Sequence, residues 1–227
     1  MIKTLNDEAL PITKEVLFMN DAKNKDTDML EIENELYKEG KHFIAGVDEA
    51  GRGPLAGPVC AAAVILPEGV IIEGVNDSKK LSPKKRDALF EKIKECAVSY
   101  AVCFEEPQVI DEINIRQATS KAMHRAVSTL SASPDFVLID GNDNIPFDLP
   151  YEYIIKGDAR SQSIAAASIL AKVSRDRLMV ELSKEFPQYG FEKHKGYGTK
   201  AHIEAIRRFG VSKVHRKSFM TAKVLGK

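Results

Sequence analysis

Apolar positions in this chain form short unbroken runs that alternate with stripes at helical spacing. Residues 44–47 are apolar and stop at two adjacent acids, Asp48 and Glu49, and residues 59–66 form a second such run. Apolar runs of this length between glycines and prolines read as buried strands. The segment between them reads as a charged, glycine-rich turn. Further on, Ser82 followed by Pro83 marks a helix start, a cap and then proline at the first helical position. Leu89, Phe90, Ile93, Cys96 and Ala97 share one face of that helix, and Lys84, Lys85, Glu91, Lys92 and Glu95 take the other. Residues 99–105 read as a strand. Pro107 starts the next helix, Asn114 with Gln117 restarts it as cap and box, and Met123, Ala126, Val127 and Leu130 form its buried stripe. Residues 136–139 and 151–155 are strands. Ser161 then caps a long helix in which Ala166, Ile169, Leu170 and Val173 share a face. Its alanine-rich first half predicts close packing on a sheet. A helix over 200–208 and an irregular basic tail close the chain. Strands joined by tight turns, followed by strands alternating with helices, predict an α/β fold with a mixed sheet covered by helices.

The first 40 residues are polar and acidic with one helical patch near 29–37. They predict a loosely held N-terminal extension, 1–41, ahead of a main domain over 42–227. At 227 residues, 44% hydrophobic and 29% charged, the composition is that of an ordinary globule. No apolar run is long enough to span a bilayer, and the N-terminus lacks the apolar core of a signal peptide. Cys60, Cys96 and Cys103 form no CxxC pair and read as buried free thiols, which predicts a cytoplasmic setting.

Net charge is zero, but its distribution is uneven. Residues 1–41 carry 6 Lys+Arg against 10 Asp+Glu, whereas residues 193–227 carry 10 Lys+Arg against one acid, Glu204. A basic segment on a mildly acidic body is an electrostatic footprint for a polyanion, or else a solvated helix surface.

Three times an acid stands beside glycine just past an apolar run: Val47-Asp48, Ile139-Asp140 and Gly157-Asp158. In a helix-covered sheet, ligands gather at strand ends. Neighbouring ends would bring Asp48, Glu49, Asp140 and Asp158 together, and packed carboxylates need cations or protons. Oxygen ligands suit Mg2+ or Mn2+. Zinc does not fit, because no cysteine or histidine stands at ligand spacing. Any single one of these acids could equally be a cap or turn residue. Successive strand residues face opposite sides, so a shared site for Asp48 and Glu49 predicts a kink there.

At Val47-Asp-Glu-Ala-Gly-Arg-Gly-Pro54 the chain closely resembles type 2 ribonuclease H. The likeness continues in order through Asn76-Asp-Ser-Lys-Lys-Leu-Ser82, Ile139-Asp140-Gly141, Lys156-Gly-Asp158, Ala165-Ala-Ala-Ser-Ile-Leu-Ala-Lys-Val173, His194-Lys-Gly-Tyr197 and His215-Arg-Lys-Ser-Phe219. It runs from about residue 42 to the end.

The resemblance implies an RNase H-like fold, with a five-stranded mixed sheet, helices on both sides and a small helical C-terminal portion. It implies hydrolysis of the RNA strand of RNA–DNA hybrids and nicking 5′ of single ribonucleotides in duplex DNA. The mechanism implied uses two divalent ions, Mg2+ or Mn2+, and leaves 3′-hydroxyl and 5′-phosphate ends. Asp48, Glu49, Asp140 and Asp158 would be the metal-binding catalytic acids. Gly51, Arg52 and Gly53 would contact the ribose 2′-hydroxyl and adjoining phosphate, and Tyr197 the sugar at the RNA–DNA junction.

Arg52 could instead pair with a structural carboxylate, and Lys79 could contact a backbone phosphate or be an ordinary helix-approach charge. His194 and His215 read as structural or phosphate-facing. The basic stretch from Lys193 reads as the DNA-holding surface of a monomer that needs no membrane. The competing readings are a non-catalytic nucleic-acid-binding module with a structural ion, and another nuclease of this fold such as a junction resolvase. A phosphate-loop nucleotidase is excluded, since no Gly-Lys-[Ser/Thr] follows the glycines.

Overall fold

The computed structural model describes residues 28–75, 81–143 and 145–226. Helix α1 (Glu31–Lys38) leads into strands β1 (Ile44–Ala50) and β2 (Val59–Ile65). Helix α2 (Pro83–Cys96), strand β3 (Ser99–Glu105) and helix α3 (Pro107–Ser128) follow. Strands β4 (Phe136–Asp140) and β5 (Tyr151–Ile154) complete one five-stranded sheet of order β3-β2-β1-β4-β5. Helices α4 (Gln162–Glu185), α5 (Phe191–His194), α6 (Lys200–Phe209) and α7 (Ala222–Leu225) close the fold.

Local chemistry sets these boundaries. Ser82 Oγ accepts from the Lys85 amide and Ser161 Oγ from the Ile164 amide, so both expected caps form. Asn114 interrupts α3 with φ 66°, and its Oδ1 accepts from the Arg116 and Gln117 amides, which restarts the helix. Where a closing tail without regular structure is expected, the chain instead builds α7 and a third core. Met179, Phe191, Ile206, Val214 and Val224 pack there around Ala56.

The pairing directions place the site. β2 lies antiparallel to both β1 and β3, whereas β1, β4 and β5 are parallel neighbours. The last three strands therefore end on one side of the molecule. Helix α4 covers one sheet face, where Ala165, Ala166, Ala167, Ile169 and Leu170 pack on Cys60, Ala62 and Val64. Small side chains let the helix come close to the strands, and every one of these alanines is fully buried. Helix α3 covers the other face, where Ala122, Met123 and Ala126 meet Val47, Ala61 and Ile139. Truncating a core residue such as Ile169 to alanine would cost about 2–5 kcal/mol.

The helical patch expected near 29–37 is α1, and it is docked, not loosely held. Leu36 packs with Ile44, Leu138 and Ile164. Glu33 is buried, and its Oε1 accepts from Ser161 Oγ, Ser163 N and Ser163 Oγ at 2.6, 3.1 and 2.8 Å. An anion at a helix N-terminus meets both free amides and the helix dipole. Cys60 and Cys103 are buried and Cys96 is half-buried, all three as free thiols. No helix among the described residues is long and apolar enough to cross a membrane.

Candidate active site

Asp48 lies near the end of β1, Asp140 ends β4, and Asp158 sits in a short 3-10 turn, Gly157–Ala159, just past β5. Because β1, β4 and β5 are parallel neighbours, the three acids meet. Each offers a carboxylate oxygen, and these oxygens lie within 4.8 Å of one another. Asp48 and Asp158 are buried and Asp140 is half-buried. The Gly157 amide donates to Asp140 Oδ1 at 2.7 Å, and Lys156 in the left-handed region (φ 57°) turns the chain back towards β4.

Burial pushes the Asp48 carboxyl well above its usual range, with the negative charges of Glu49, Asp140 and Asp158 adding to the effect. A group so disfavoured as an anion is where a divalent cation would gain most. The donor set is all oxygen, so these residues fit Mg2+ or Mn2+.

The kink expected at Asp48-Glu49 does not form. The ladder with β2 continues through Asp48↔Ala62, Glu49↔Ala61 and Ala50↔Cys60. Strand alternation therefore sets Asp48 on the α4 side of the sheet and Glu49, like Val47, on the α3 side. Glu49 falls outside the three-acid group. Its Oε1 lies 3.7 Å from Arg52 Nη1, and Arg52 also pairs with Asp143. Of the two readings for Arg52, the carboxylate pairing is the one formed in the free protein.

The glycine turn follows β1 directly. Gly51 has φ +98°, and a Cβ there would lie 2.0 Å from Arg175 Nε, so only glycine fits. Tyr197 is 44% exposed, and a Cβ on Gly53 would sit 3.9 Å from its ring. Turn and tyrosine therefore line one surface beside the acids. Lys79 lies outside the described residues.

Sequence reasoning missed the groups that hold this surface in place. Arg175 and Arg216 are buried beneath this segment; Arg216 donates to the Gly51 and Arg52 carbonyls, and Arg175 to those of Ala56 and Pro58. Arg216 stands in the basic stretch read as a DNA-holding surface, yet it is fully buried. Burial, with the charge of Arg175 second, pulls its pKa down to about 9. The only sequence signal was an arginine within the His215-Arg-Lys-Ser-Phe219 motif.

His202 and His215 are buried too, with their Nε2 atoms 3.1 Å apart. Ser212 N–H donates to His215 Nδ1, so the shared proton belongs on His215 Nε2 and points at His202. His202 Nδ1–H then donates to the Tyr197 carbonyl at 2.9 Å. Both rings are neutral in this chain of bonds, and burial pulls each pKa down to about 4. Burial of His215 fits the structural one of its two readings and not the phosphate-facing one. His194 joins them, stacked on His202 with ring centroids 4.5 Å apart.

The profile of the ribonuclease HII family matches residues 45–222. A ribonuclease HII from Bacillus cytotoxicus is 55% identical over 205 residues, covering 90% of this chain and 79% of the relative. One from Caldicellulosiruptor saccharolyticus is 56% identical over 195 residues, covering 86% and 95%. The crystal structure of the ribonuclease H2 from Pyrococcus horikoshii superposes with a TM-score of 0.68 at 28% identity, over 81% of this chain and 97% of that one. Fold, motif order and relatives agree: the chain has the RNase H-like α/β fold and belongs to the ribonuclease HII family of metal-dependent endonucleases.

Proposed function

We propose that this ribonuclease H cuts the RNA strand of RNA–DNA hybrids and nicks 5′ of a single ribonucleotide in duplex DNA, leaving 3′-hydroxyl and 5′-phosphate ends. The observation that carries the reading is adjacency. Three convergent carboxylates stand at strand ends, and the strand that carries Asp48 runs directly into a glycine turn that faces an exposed tyrosine. In this reading Asp48, Asp140 and Asp158, with Glu49 from the far side of the strand end, hold two divalent cations, Mg2+ or Mn2+. Bound there, such ions supply an activated water and neutralise charge on the departing 3′-oxygen.

The protein's own groups do the sorting and the orienting. The bond from Gly157 fixes Asp140, so the pocket is set before substrate arrives. The turn Gly51-Arg52-Gly53 reads the 2′-hydroxyl, the backbone group that separates ribose from deoxyribose. Arg52 would exchange Asp143 for the adjoining phosphate. The Tyr197 ring would lie against the next sugar, where an extra hydroxyl would clash. Lys79 would meet a backbone phosphate, and the exposed basic residues after Lys193 would hold the flanking duplex, which makes binding salt-sensitive. We take residues 42–227 as the catalytic domain, working as a monomer, with 1–41 as an extension. The three free thiols support a reducing, cytoplasmic setting.

The test is nicking of a duplex with one ribonucleotide against an all-DNA control, with and without divalent metal. Cutting should occur only at the ribonucleotide and only with metal, and Asp48→Asn should abolish cutting while binding persists. Full activity in EDTA or in Asp48→Asn would overturn the reading. Binding without metal-stimulated nicking would mark a non-catalytic module, and equal cutting of all-DNA substrates another nuclease.

A further inference from the structure

The geometry points to Arg216 as a positioning residue that aims the amides of Arg52 and Gly53 at the ribose and its phosphate, with Arg175 bracing the same loop at Ala56 and Pro58. The inference rests on the reading of the Gly51–Gly53 turn given under Proposed function.

Both guanidinium groups are buried, with 1% and 0% exposure, and among the described residues neither has an acid within ion-pairing distance. A guanidinium donates through three nitrogens and accepts nothing, and burying one without an anion is unfavourable unless each nitrogen finds an acceptor. Among the described residues both donate only to main-chain carbonyls. Arg216 donates to Gly51 O, Arg52 O and Gly57 O at 2.6, 2.8 and 2.9 Å. Arg175 donates to Pro58 O, Lys195 O and Ala56 O at 2.9, 3.0 and 3.2 Å. Apart from Lys195, these acceptors all lie between Gly51 and Pro58, so two side chains from distant parts of the sequence gather the carbonyls of one loop on its inner side.

Peptide planarity carries this further. In a trans peptide the carbonyl of one residue and the N–H of the next point in opposite directions. No peptide bond here is cis. With the Gly51 and Arg52 carbonyls drawn inward to Arg216, the amides of Arg52 and Gly53 must face outward. Other amides of the loop are already engaged, Leu55 N with Gly196 O and Gly57 N with Val214 O. Among the described residues the amides of Arg52 and Gly53 have no acceptor. Two adjacent outward amides form a concavity that suits an oxyanion or a hydroxyl oxygen. They lie beside Tyr197, whose ring centroid is 6.0 Å from the Arg175 guanidinium. Two cations buried beneath the turn also lend it positive potential, which favours a phosphate over a neutral ligand.

The experiment uses the full chain in EDTA, so that cleavage plays no part. Fluorescence anisotropy measures affinity for a duplex with one ribonucleotide and for the same duplex in all-DNA form. The proteins are wild type, Arg216→Met and Arg216→Lys, with folding checked by circular dichroism. Arg216→Met should cut the preference for the ribonucleotide duplex by about tenfold, the worth of one charge-assisted bond, and leave all-DNA affinity within about twofold. Arg216→Lys, which keeps the charge and a single donor nitrogen, should recover part of it. A folded Arg216→Met variant with undiminished preference would overturn the inference alone. A wild type with no preference would overturn the reading of the turn itself, and the inference with it.

Should Arg216→Met fail to fold, amide hydrogen exchange on the wild type decides. The Arg52 and Gly53 amides should exchange freely in the unbound protein and gain protection with the ribonucleotide duplex but not with the all-DNA one. Protection in the unbound protein, or none gained on binding, would overturn the inference.

Discussion

Asp140 accepts a hydrogen bond from the Gly157 amide at 2.7 Å, and that bond ties the end of β4 to the turn carrying Asp158. It turns two strand ends into one wall of the acid pocket. Gly157 is needed for space. A Cβ there would lie 2.6 Å from Ile164 Cδ1 and 3.3 Å from Asp140 Oδ1. Gly157→Ala should therefore displace Asp140 from Asp158 and cost about 1–3 kcal/mol of stability. Urea unfolding checks the stability, and Mn2+ titration should show weakened binding. Unchanged metal affinity would separate the turn from the pocket.

At Asp48 the proposed catalytic role and the stability of the metal-free protein are in opposition. Its folded-state pKa is raised by burial first and then by Glu49, Asp140 and Asp158. A carboxyl raised in this way binds a proton more readily folded than unfolded, so its contribution to stability falls as pH rises above the unfolded value. At neutral pH without metal, Asp48→Asn removes that strain and should stabilise the protein by on the order of 1 kcal/mol. Adding Mg2+ or Mn2+ should raise the melting temperature of the wild type and leave the variant nearly unchanged. A variant less stable than wild type in EDTA would count against the repulsion argument.

Glu33 joins α1 to the start of α4, four residues past Asp158. Glu33→Ala would strip one acceptor from three donors around Ser161 and Ser163, at a cost of roughly 2–4 kcal/mol. Glu33→Gln, which keeps a carbonyl oxygen in place, should lose less. Denaturant midpoints for both variants test this ordering. Equal loss in both would mean that the charge and not the hydrogen bonds carries the effect.

The His202–His215 pair gives stability a definite pH dependence. Both folded pKa values are lowered to about 4, below the ordinary histidine value. Between that ordinary value and pH 4 the unfolded chain binds more protons than the folded one. Stability is then full above about pH 6.5 and falls as pH drops towards 4, by on the order of 3 kcal/mol per ring at most. Melting temperatures from pH 7.5 to 4.5 should decline, and His202→Gln should flatten the slope. A flat wild-type profile would show that the rings take up protons in place.

Much of the fold was legible locally. Ser82 and Ser161 announced their helices, and Asn114 announced the restart of α3, because a cap is satisfied by amides two or three residues away. The strands followed from runs of apolar residues closed by acids or glycine. Arg175, Arg216, Glu33 and His202 were not legible in the same way. Arg216 holds Gly51 from 165 positions away, and Glu33 holds Ser161 from 128. A polar residue buried by so distant a partner looks, in sequence, like any surface residue. The kink expected at Asp48-Glu49 failed for a related reason. Alternation was correctly read, but the pairing of Ala50 with Cys60 keeps the pleat intact to the strand end.

By itself the sequence determined which segments are strands and helices, and that an acid would stand at or just past the ends of β1, β4 and β5. These follow from period, propensity and capping, which act over a few residues. Only the tertiary structure decided that β4 lies against β1 and β5 against β4, all in the same direction, so that Asp48, Asp140 and Asp158 share one pocket. Strand order comes from long-range hydrogen bonding and from burial against α3 and α4, and no local pattern encodes it.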